Sequence, residues 1–310
     1  MKIVFWGTPQ FADVVLRALL DAGRDVVGVV TQPDRPAGRG RKIQPPPVKL
    51  TAEGAGIPIL QPEKPWGDEF MSALRGLAPE ISVVAAYGHI LKPEVLELPP
   101  LGSFNVHASL LPKLRGAAPV NWAIISGHSE TGVTIMRMVE KLDAGPMIVK
   151  ARYEVTAEST AGALYAELAE LGGRTLLSAL SLIEHGQATE EPQDEAEATY
   201  AAKLNADDVR LDWTLSAEQL DRWVRGCDPI PAAWSELAGV RVRMFAPRVG
   251  VKAADAEPGV VVTADPREGL EVATGSGVLG IGQVQPAGKR RMEAAEWIRG
   301  RGVAQGARFE

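Results

Sequence analysis

The feature that most constrains the fold is a repeated alternation of strand and helix patterns over the first 185 residues. Residues 2–6 are mostly apolar with little alternation, which is typical of a strand buried on both faces. A turn at residues 7–9 follows, in which Thr8 is predicted to cap a helix and Pro9 to begin it. Apolar residues then recur at helical spacing over residues 10–22. Such strand-helix units predict a doubly wound, mostly parallel sheet.

The same alternation continues along the chain. Strands are predicted near residues 26–30, 57–60, 81–86, 102–107, 132–138 and 147–155, and helices near 67–77, 118–126 and 160–185. The first loop contains only one glycine, whereas a dinucleotide fingerprint needs more at this point. A nicotinamide-dependent dehydrogenase is therefore disfavoured.

The pattern changes after residue 185. Residues 187–198 carry acidic side chains and no basic ones, which predicts a solvated linker. The capping-box sequence Ser216–Gln219 then predicts a short helix, and four β-rich runs between 240 and 284 predict a small β-barrel or sandwich. The expected organisation is a Rossmann-like domain over 1–187, a linker over 188–205 and a small β domain over 206–310.

Composition narrows the function classes. The 310 residues carry a formal net charge of -6, which argues against a surface that is basic throughout, although a local basic patch could still bind nucleic acid. Cys227 is the single cysteine, so neither an intramolecular disulfide nor a Cys-based zinc site is expected. No signal-peptide pattern or membrane-length apolar stretch is present in the sequence. We expect a cytoplasmic, metal-free monomer.

The strongest chemical signal is the pair Asn105 and His107. Positions i and i+2 of a strand project on the same face, and this pair lies at the carboxyl end of a predicted strand, where open α/β sheets bind ligands. The Asn amide can donate to a developing oxyanion, and His can move a proton near neutral pH. An Asn-x-His triplet alone more often has only a local structural role.

The segments after this triplet strengthen the chemical interpretation. A loop at residues 109–112 follows, then Gly116, and then a turn at 141–145 that carries Asp143. In this order and spacing, the chain resembles the folate-dependent formyltransferases. The resemblance implies that Asn105, His107 and Asp143 are the catalytic trio, although Asp143 alone would be read as a carboxylate capping its own turn.

The same resemblance implies the fold of the second domain and two folate-contacting segments. The small β domain is implied to be an oligonucleotide-binding (OB)-like barrel. The folate-contacting loop is implied to consist of Ser109, Leu110, Leu111 and Pro112, and the pterin pocket to be lined by Tyr87, Gly88, His89, Ile90 and Leu91.

Within this family, six segments resemble the members that act on methionyl-tRNA: residues 7–12, 31–42, 85–91, 130–136, 272–275 and 285–289. The implied reaction transfers the formyl group of 10-formyltetrahydrofolate to the α-amino group of methionyl-initiator tRNA. Its product, formylmethionyl-tRNA, serves translation initiation. Which proton His107 handles and which Asp143 handles stays open at this point.

Two basic clusters are candidate tRNA contacts. Residues 32–49 are predicted to form a mobile basic loop that reaches the acceptor stem, with Arg39, between two glycines, as the best candidate for discrimination. The candidate contacts are Arg35, Arg39, Arg41 and Lys42 in this loop and Lys289, Arg290 and Arg291 in the β domain. For the second cluster, a salt-bridged surface with Glu293 and Glu296 is an equally good interpretation.

Two other functions compete with this one. The first is a folate-dependent formyltransferase for an amino sugar nucleotide, which the basic loop and the lack of a sugar-nucleotide-binding domain disfavour. The second is a non-catalytic tRNA-binding protein on the same scaffold, which the intact catalytic trio disfavours.

Overall fold

The computed structural model describes residues 1–37, 42–250 and 255–310. The chain forms two compact units. Unit 1 comprises Met1–Pro119, Glu130–Glu154 and Tyr165–Ala201. Unit 2 comprises Val120–Ser129, Val155–Leu164 and Ala202–Glu310.

The strands of unit 1 are β1 Ile3–Gly7, β2 Val26–Val30, β3 Arg35–Ala37, β4 Lys42–Gln44, β5 Ile59–Leu60, β6 Ile81–Ala85, β7 Ser103–His107, β8 Arg115–Gly116, β9 Glu130–Arg137, β10 Met147–Glu154 and β11 Tyr200–Ala201. Seven of them form one sheet in the order β10-β9-β7-β6-β1-β2-β5. The strands from β7 to β5 in this order pair in parallel, whereas β9 pairs antiparallel with β7, and β10 antiparallel with β9. The prediction of a doubly wound, mostly parallel sheet is confirmed.

The helices are α1 Gln10–Asp21, α2 Pro47–Gly54, α3 Asp68–Gly76, α4 Pro93–Leu96, α5 Pro119–Ile125, α6 Ala161–Glu184, α7 Ala217–Cys227 and α8 Ala294–Arg299. The predicted helices at 67–77, 118–126 and 160–185 are therefore confirmed within one residue at each end. They agree because each has an apolar stripe at helical spacing with turn residues at its ends.

The first strand-to-helix turn is a close approach of β1 to α1 and is not capped by a threonine. Helix α1 has Pro9 as its N-cap and no side-chain cap, so the prediction that Thr8 caps it is wrong. The Thr8 hydroxyl donates instead to the carbonyl of Tyr87, 3.1 Å away, after β6. At Gly7, a Cβ would lie 2.4 Å from that of Ala12, so only glycine allows this approach of strand and helix.

Strand register brings three loops to one edge of the sheet. Gly7 of β1 pairs with Ala85 of β6, and Val84 of β6 pairs with Asn105 of β7. Because parallel strands end on the same side, the loops after β1, β6 and β7 meet there.

Unit 2 is built on an antiparallel sheet curled into a half-barrel. Its strands are β12 Trp234–Leu237, β13 Val240–Val249, β14 Val261–Asp265, β15 Gly269–Ala273, β16 Val278–Pro286 and β17 Met292–Glu293. The order is β12-β13-β16-β15-β14, and β17 pairs with β16. The predicted small β domain is confirmed, as is the capping box of α7, in which Ser216 and Gln219 bond reciprocally.

The C-terminal residues join the two edges of this sheet. Leu237 of β12 bridges to Phe309, and Val260 beside β14 bridges to Arg308. The Phe309 side chain is buried against Trp213 in the core of the unit. The curled sheet is thereby closed around one hydrophobic core, as in a small barrel.

The acidic segment that composition assigns to a linker makes specific contacts within unit 1. Glu191 forms a bridge with Met147, and Tyr200 and Ala201 pair with β8 as strand β11. In the acidic segment, Glu190 forms an ion pair with Arg137, and Glu195 forms one with Arg115. The acidic side chains of this segment therefore serve in ion pairs with arginines as well as in contact with solvent. No helix in the described ranges is long and apolar enough to cross a membrane.

Candidate active site

Asn105 and His107 lie at the end of β7, between β6 and β9. The partners on β9 are Met136 for Asn105 and Thr134 for His107. His107 is only 5% exposed, while Asn105 is half-buried. Among the residues that the structure describes, no hydrogen bond engages the side-chain amide of Asn105. This amide is therefore free to donate to a ligand.

The orientation of His107 is fixed by a main-chain carbonyl. Its Nε2 lies 3.0 Å from the carbonyl oxygen of Leu114. Because a carbonyl oxygen can only accept, Nε2 carries the proton in the neutral ring and Nδ1 keeps its lone pair. Nδ1 lies 3.7 Å from Oδ2 of Asp143. The ring nitrogen that can accept a proton is thus the one that faces the carboxylate.

Asp143 is held in an unusual backbone conformation. Its φ is 47°, in the left-handed region, and the residue is 9% exposed. The backbone N–H of Gly116 donates to Oδ2 over 2.9 Å. At Gly145, a Cβ would lie 1.8 Å from the carbonyl oxygen of Arg137, so the turn requires glycine there. These contacts explain the spacing of Asp and Gly in the turn.

The loop after His107 is rigidly bonded. The Ser109 hydroxyl donates to the carbonyl of Lys113 over 2.7 Å. Thr134 joins both ends of the loop, because its hydroxyl donates to the Ser109 carbonyl at 2.7 Å and accepts from the N–H of Leu111 at 3.1 Å. Leu111 and Pro112 are buried, and Leu110 is half-buried. Thr134 was not among the predicted site residues, since nothing in its sequence context indicates this role.

The second predicted folate segment, residues 87–91, has its side chains divided between core and surface. Tyr87 and Leu91 are buried in the hydrophobic core, whereas Ile90 is 76% exposed. The Tyr87 carbonyl accepts from Thr8 and from Nε2 of Gln32. In the described part of the chain, the buried Tyr87 hydroxyl and the buried Nε2 of His89 have no hydrogen-bond partner.

The predicted basic loop at 32–49 contains the short antiparallel pair β3–β4 and runs into the start of α2. Arg35 is exposed, and the backbone of Lys42 pairs with Ala37. Lys49 is not free for phosphate, because its ammonium bonds both carboxylate oxygens of Asp34 at 2.8 and 3.0 Å. Hydrogen bonds from Gln61 and Lys49 lower the pKa of Asp34. The predicted contacts Arg39 and Arg41 lie outside the described residues.

In unit 2, two of the three predicted tRNA contacts are paired within the protein. Arg291 forms two hydrogen bonds with the Asp228 carboxylate, and Arg290 forms an ion pair with Glu296. Lys289 is exposed, and no ion pair among the described residues engages it. A salt-bridged surface is thus found for two of the three residues, with Glu296 as an expected acid and Asp228 as an unexpected one.

An amide donor with no partner among the described residues, beside a histidine–carboxylate pair, is an arrangement that can stabilise an oxyanion and move a proton, as an enzyme of acyl-group transfer requires. Two family models match the sequence: Formyl transferase over residues 1–180, and Formyl transferase, C-terminal domain, over residues 203–302. The chain belongs to the formyl transferase family.

Known relatives agree with this assignment. The methionyl-tRNA formyltransferase of Desulfotalea psychrophila is 47% identical over 300 residues, which are 97% of this chain and 93% of the relative. HypX from Aquifex aeolicus, in complex with tetrahydrofolic acid, shares the fold with a TM-score of 0.67 and 20% identity over 96% of this chain. This chain spans only 46% of the HypX chain. Methionyl-tRNA formyltransferase from Clostridium thermocellum has a TM-score of 0.56 at 13% identity, covering 81% of this chain and 94% of that one.

Proposed function

We propose that this enzyme transfers the formyl group of 10-formyltetrahydrofolate to the α-amino group of methionyl-initiator tRNA. The observation that carries the chemistry is the Asn105 amide, which has no hydrogen-bond partner in the described part of the chain and lies on the same strand as His107, whose Nδ1 faces Asp143. The identity of the acceptor rests on the relative that shares 47% of its residues over nearly the whole chain.

The first chemical step is attack by a neutral amine on the formyl carbon. The carbonyl oxygen then becomes an oxyanion on a tetrahedral carbon. The Asn105 amide donates to that oxygen, and such a donor contributes about 100- to 1,000-fold in rate. No other described side chain competes for this amide, so it need not give up a protein partner first.

The second step is proton transfer through His107. Its Nε2–H is bonded to the Leu114 carbonyl, so Nδ1 is the atom that accepts the proton of the attacking amine, directly or through water. The nearby Asp143 carboxylate stabilises the imidazolium that forms. The tetrahedral carbon then collapses: its bond to N10 of the folate breaks, and the proton passes to that nitrogen. His107 thus carries the proton, and the Asp143 carboxylate stabilises the charged imidazole ring.

The folate would lie at the edge formed by the loops after β6 and β7. The Tyr87 side chain lies in the core, so the segment 87–91 would contact the ligand through its main chain and its more exposed residues. The exposed Ile90 offers an apolar contact to a flat ring. Ser109 to Pro112 form the wall on the other side, next to His107.

The tRNA would be held by cations outside this edge. We propose Arg35, Arg39, Arg41 and Lys42 as contacts to the acceptor end, and Lys289 as the main contact among the three candidates of unit 2. Arg35 and Lys289 are supported by their exposure. We further propose that the enzyme acts as a monomer in the cytoplasm, a reducing compartment with which the single buried cysteine is consistent.

The test is a competition between acceptors. The enzyme is incubated with 10-formyltetrahydrofolate and, separately, with methionyl-tRNA, uncharged initiator tRNA and an amino sugar nucleotide. Hydrolysis of the aminoacyl ester followed by mass spectrometry should detect N-formylmethionine from the first acceptor alone. A formylated amino sugar nucleotide, or tRNA binding without transfer to any acceptor, would contradict the proposal.

A further inference from the structure

The Asp143 turn is supported by a side chain that comes from the acidic segment 50 residues later. Gln193 Nε2 donates to the carbonyl oxygen of Asp143 over 2.8 Å and to that of Gly145 over 2.7 Å. These two carbonyls lie on either side of the peptide unit that joins Ala144 to Gly145. The position of the Asp143 main chain is therefore set from outside the turn.

The Gln193 side chain is oriented by Arg115. Its Oε1 accepts from Nε of Arg115 over 3.0 Å. The Arg115 side chain is 0% exposed, and its two terminal nitrogens donate to the two carboxylate oxygens of Glu195 over 3.2 and 3.0 Å. Glu195 also accepts from Lys141, 2.7 Å away, at the start of the turn. A bidentate, buried guanidinium is a rigid anchor for the amide that it holds.

These bonds belong to a closed ring of contacts that includes the Asp143 carboxylate. The residue that follows Arg115, Gly116, donates its N–H to the Asp143 carboxylate. The residue that precedes it, Leu114, accepts from Nε2 of His107. Leu114, Arg115 and Gly116 thus contact His107, Gln193 and Asp143, respectively. Gln193 completes the ring because it connects Arg115 back to the main chain of Asp143.

The chemistry of the ring requires an amide at this position. Carbonyl oxygens only accept and a guanidinium only donates, so the side chain between them must donate at one end and accept at the other. A carboxylate could bond Arg115 but would face the carbonyls of Asp143 and Gly145 without a proton. The left-handed conformation of Asp143 is unfavourable for a residue other than glycine, and the two bonds from Gln193 oppose its relaxation.

We propose that Gln193, held by Arg115 and Glu195, is a positioning residue that fixes the Asp143 carboxylate against Nδ1 of His107 during formyl transfer. This inference rests on the function proposed above. Gln193 touches no reacting atom, so it acts through Asp143. Substrate binding does not depend on it, because its hydrogen bonds are made to the protein.

The test is Gln193→Glu, with Gln187→Glu as the matched control. The first variant keeps the acceptor for Arg115 and loses both donors to the turn. The control makes the same change at an exposed residue of the same unit, whose side chain has no hydrogen bond in the described structure. We expect Gln193→Glu to lower kcat by about 10- to 100-fold, as a misplacement of about 1 Å does. The KM values for folate and methionyl-tRNA should stay within about threefold, and the control should match the wild type.

A second variant, Gln193→Met, removes the hydrogen bonds without adding charge. It should lose kcat in the same way if thermal unfolding shows a folded protein. The inference would be overturned if either folded variant had the wild-type kcat, or if both variants failed to fold. It would also be overturned if both KM values rose by as large a factor as that by which kcat fell. The wild type and the control report separately on the proposed function, since both must formylate methionyl-tRNA for that function to stand.

Discussion

Replacing Asp143 by Asn should slow formyl transfer strongly while leaving the fold intact. The change removes the negative charge that lies 3.7 Å from Nδ1 of His107. It leaves an amide oxygen that can still accept from the N–H of Gly116, now 2.9 Å from the carboxylate. The left-handed turn and its bonds to Gln193 involve the main chain and are unaffected by the substitution.

The magnitude follows from the distance and burial of the pair. The side chains are 5% and 10% exposed, so solvent screens them weakly. Two unit charges about 4 Å apart in a medium of effective dielectric constant about 20 interact by about 4 kcal/mol. Each 1.4 kcal/mol corresponds to about tenfold in rate, so the upper limit of the effect is about 1,000-fold. Because part of the charge on the imidazolium is stabilised by other dipoles, we expect kcat to fall by about 100- to 1,000-fold.

The assay is single-turnover formylation of methionyl-tRNA with saturating 10-formyltetrahydrofolate. Glu140→Gln is the matched control, since it removes one carboxylate charge from an exposed residue three positions away. The KM values should change by less than about threefold, because Asp143 is buried against the protein. If Asp143→Asn kept more than a tenth of the wild-type rate, or if Glu140→Gln were equally slow, the charge argument would be refuted.

Three further outcomes are expected. Tyr87→Phe should keep or raise the melting temperature of the ligand-free protein, because the hydroxyl is buried without a hydrogen-bond partner in the described residues, and this burial also raises its pKa to about 12. A fall in melting temperature of several degrees would contradict this. Hydrogen bonds from Arg115 and then Lys141 lower the pKa of Glu195 from 4.5 to about 2, so the stability that this carboxylate contributes is present above pH 4.5 and is lost as the pH falls towards 2. Glu195→Gln should therefore unfold at a lower urea concentration than the wild type at pH 7, and the difference should shrink below pH 4.5. A difference that does not change with pH would disprove the pairing. Lys289→Glu should raise the KM for methionyl-tRNA and leave the folate KM unchanged. The slope of the logarithm of the tRNA KM against the logarithm of salt concentration should fall by about one unit, and an unchanged slope would exclude the phosphate contact.

The sequence predicts most elements of the sheet and helices because their periodicity reflects burial directly. Strand β7 was expected at 102–107 and is found at Ser103–His107. The capping box at Ser216 was predicted because both of its partners are local in the chain. Thr8 was wrongly predicted as a cap because its hydroxyl is engaged by a carbonyl 79 residues away, which no local pattern reveals.

The candidate site was predictable only in part. Asn105 and His107 share a strand face, and that follows from their spacing. The partner of Nε2, the carbonyl of Leu114, depends on how the following loop folds back. Gln193 gives no signal in the sequence, because it lies in an acidic segment whose composition indicates a solvated linker. Long-range hydrogen bonds of this kind become visible only in the structure.

The measurement that tests the central claim most directly is the rate of a single turnover by Asn105→Ala and by His107→Ala. Both variants are assayed for N-formylmethionine production from methionyl-tRNA, with thermal unfolding to show that they are folded. The account predicts a loss of about 100- to 1,000-fold for Asn105→Ala. For His107→Ala the predicted loss is about 100- to 10,000-fold. If both folded variants formylated methionyl-tRNA at near the wild-type rate, formyl transfer would not occur at this site.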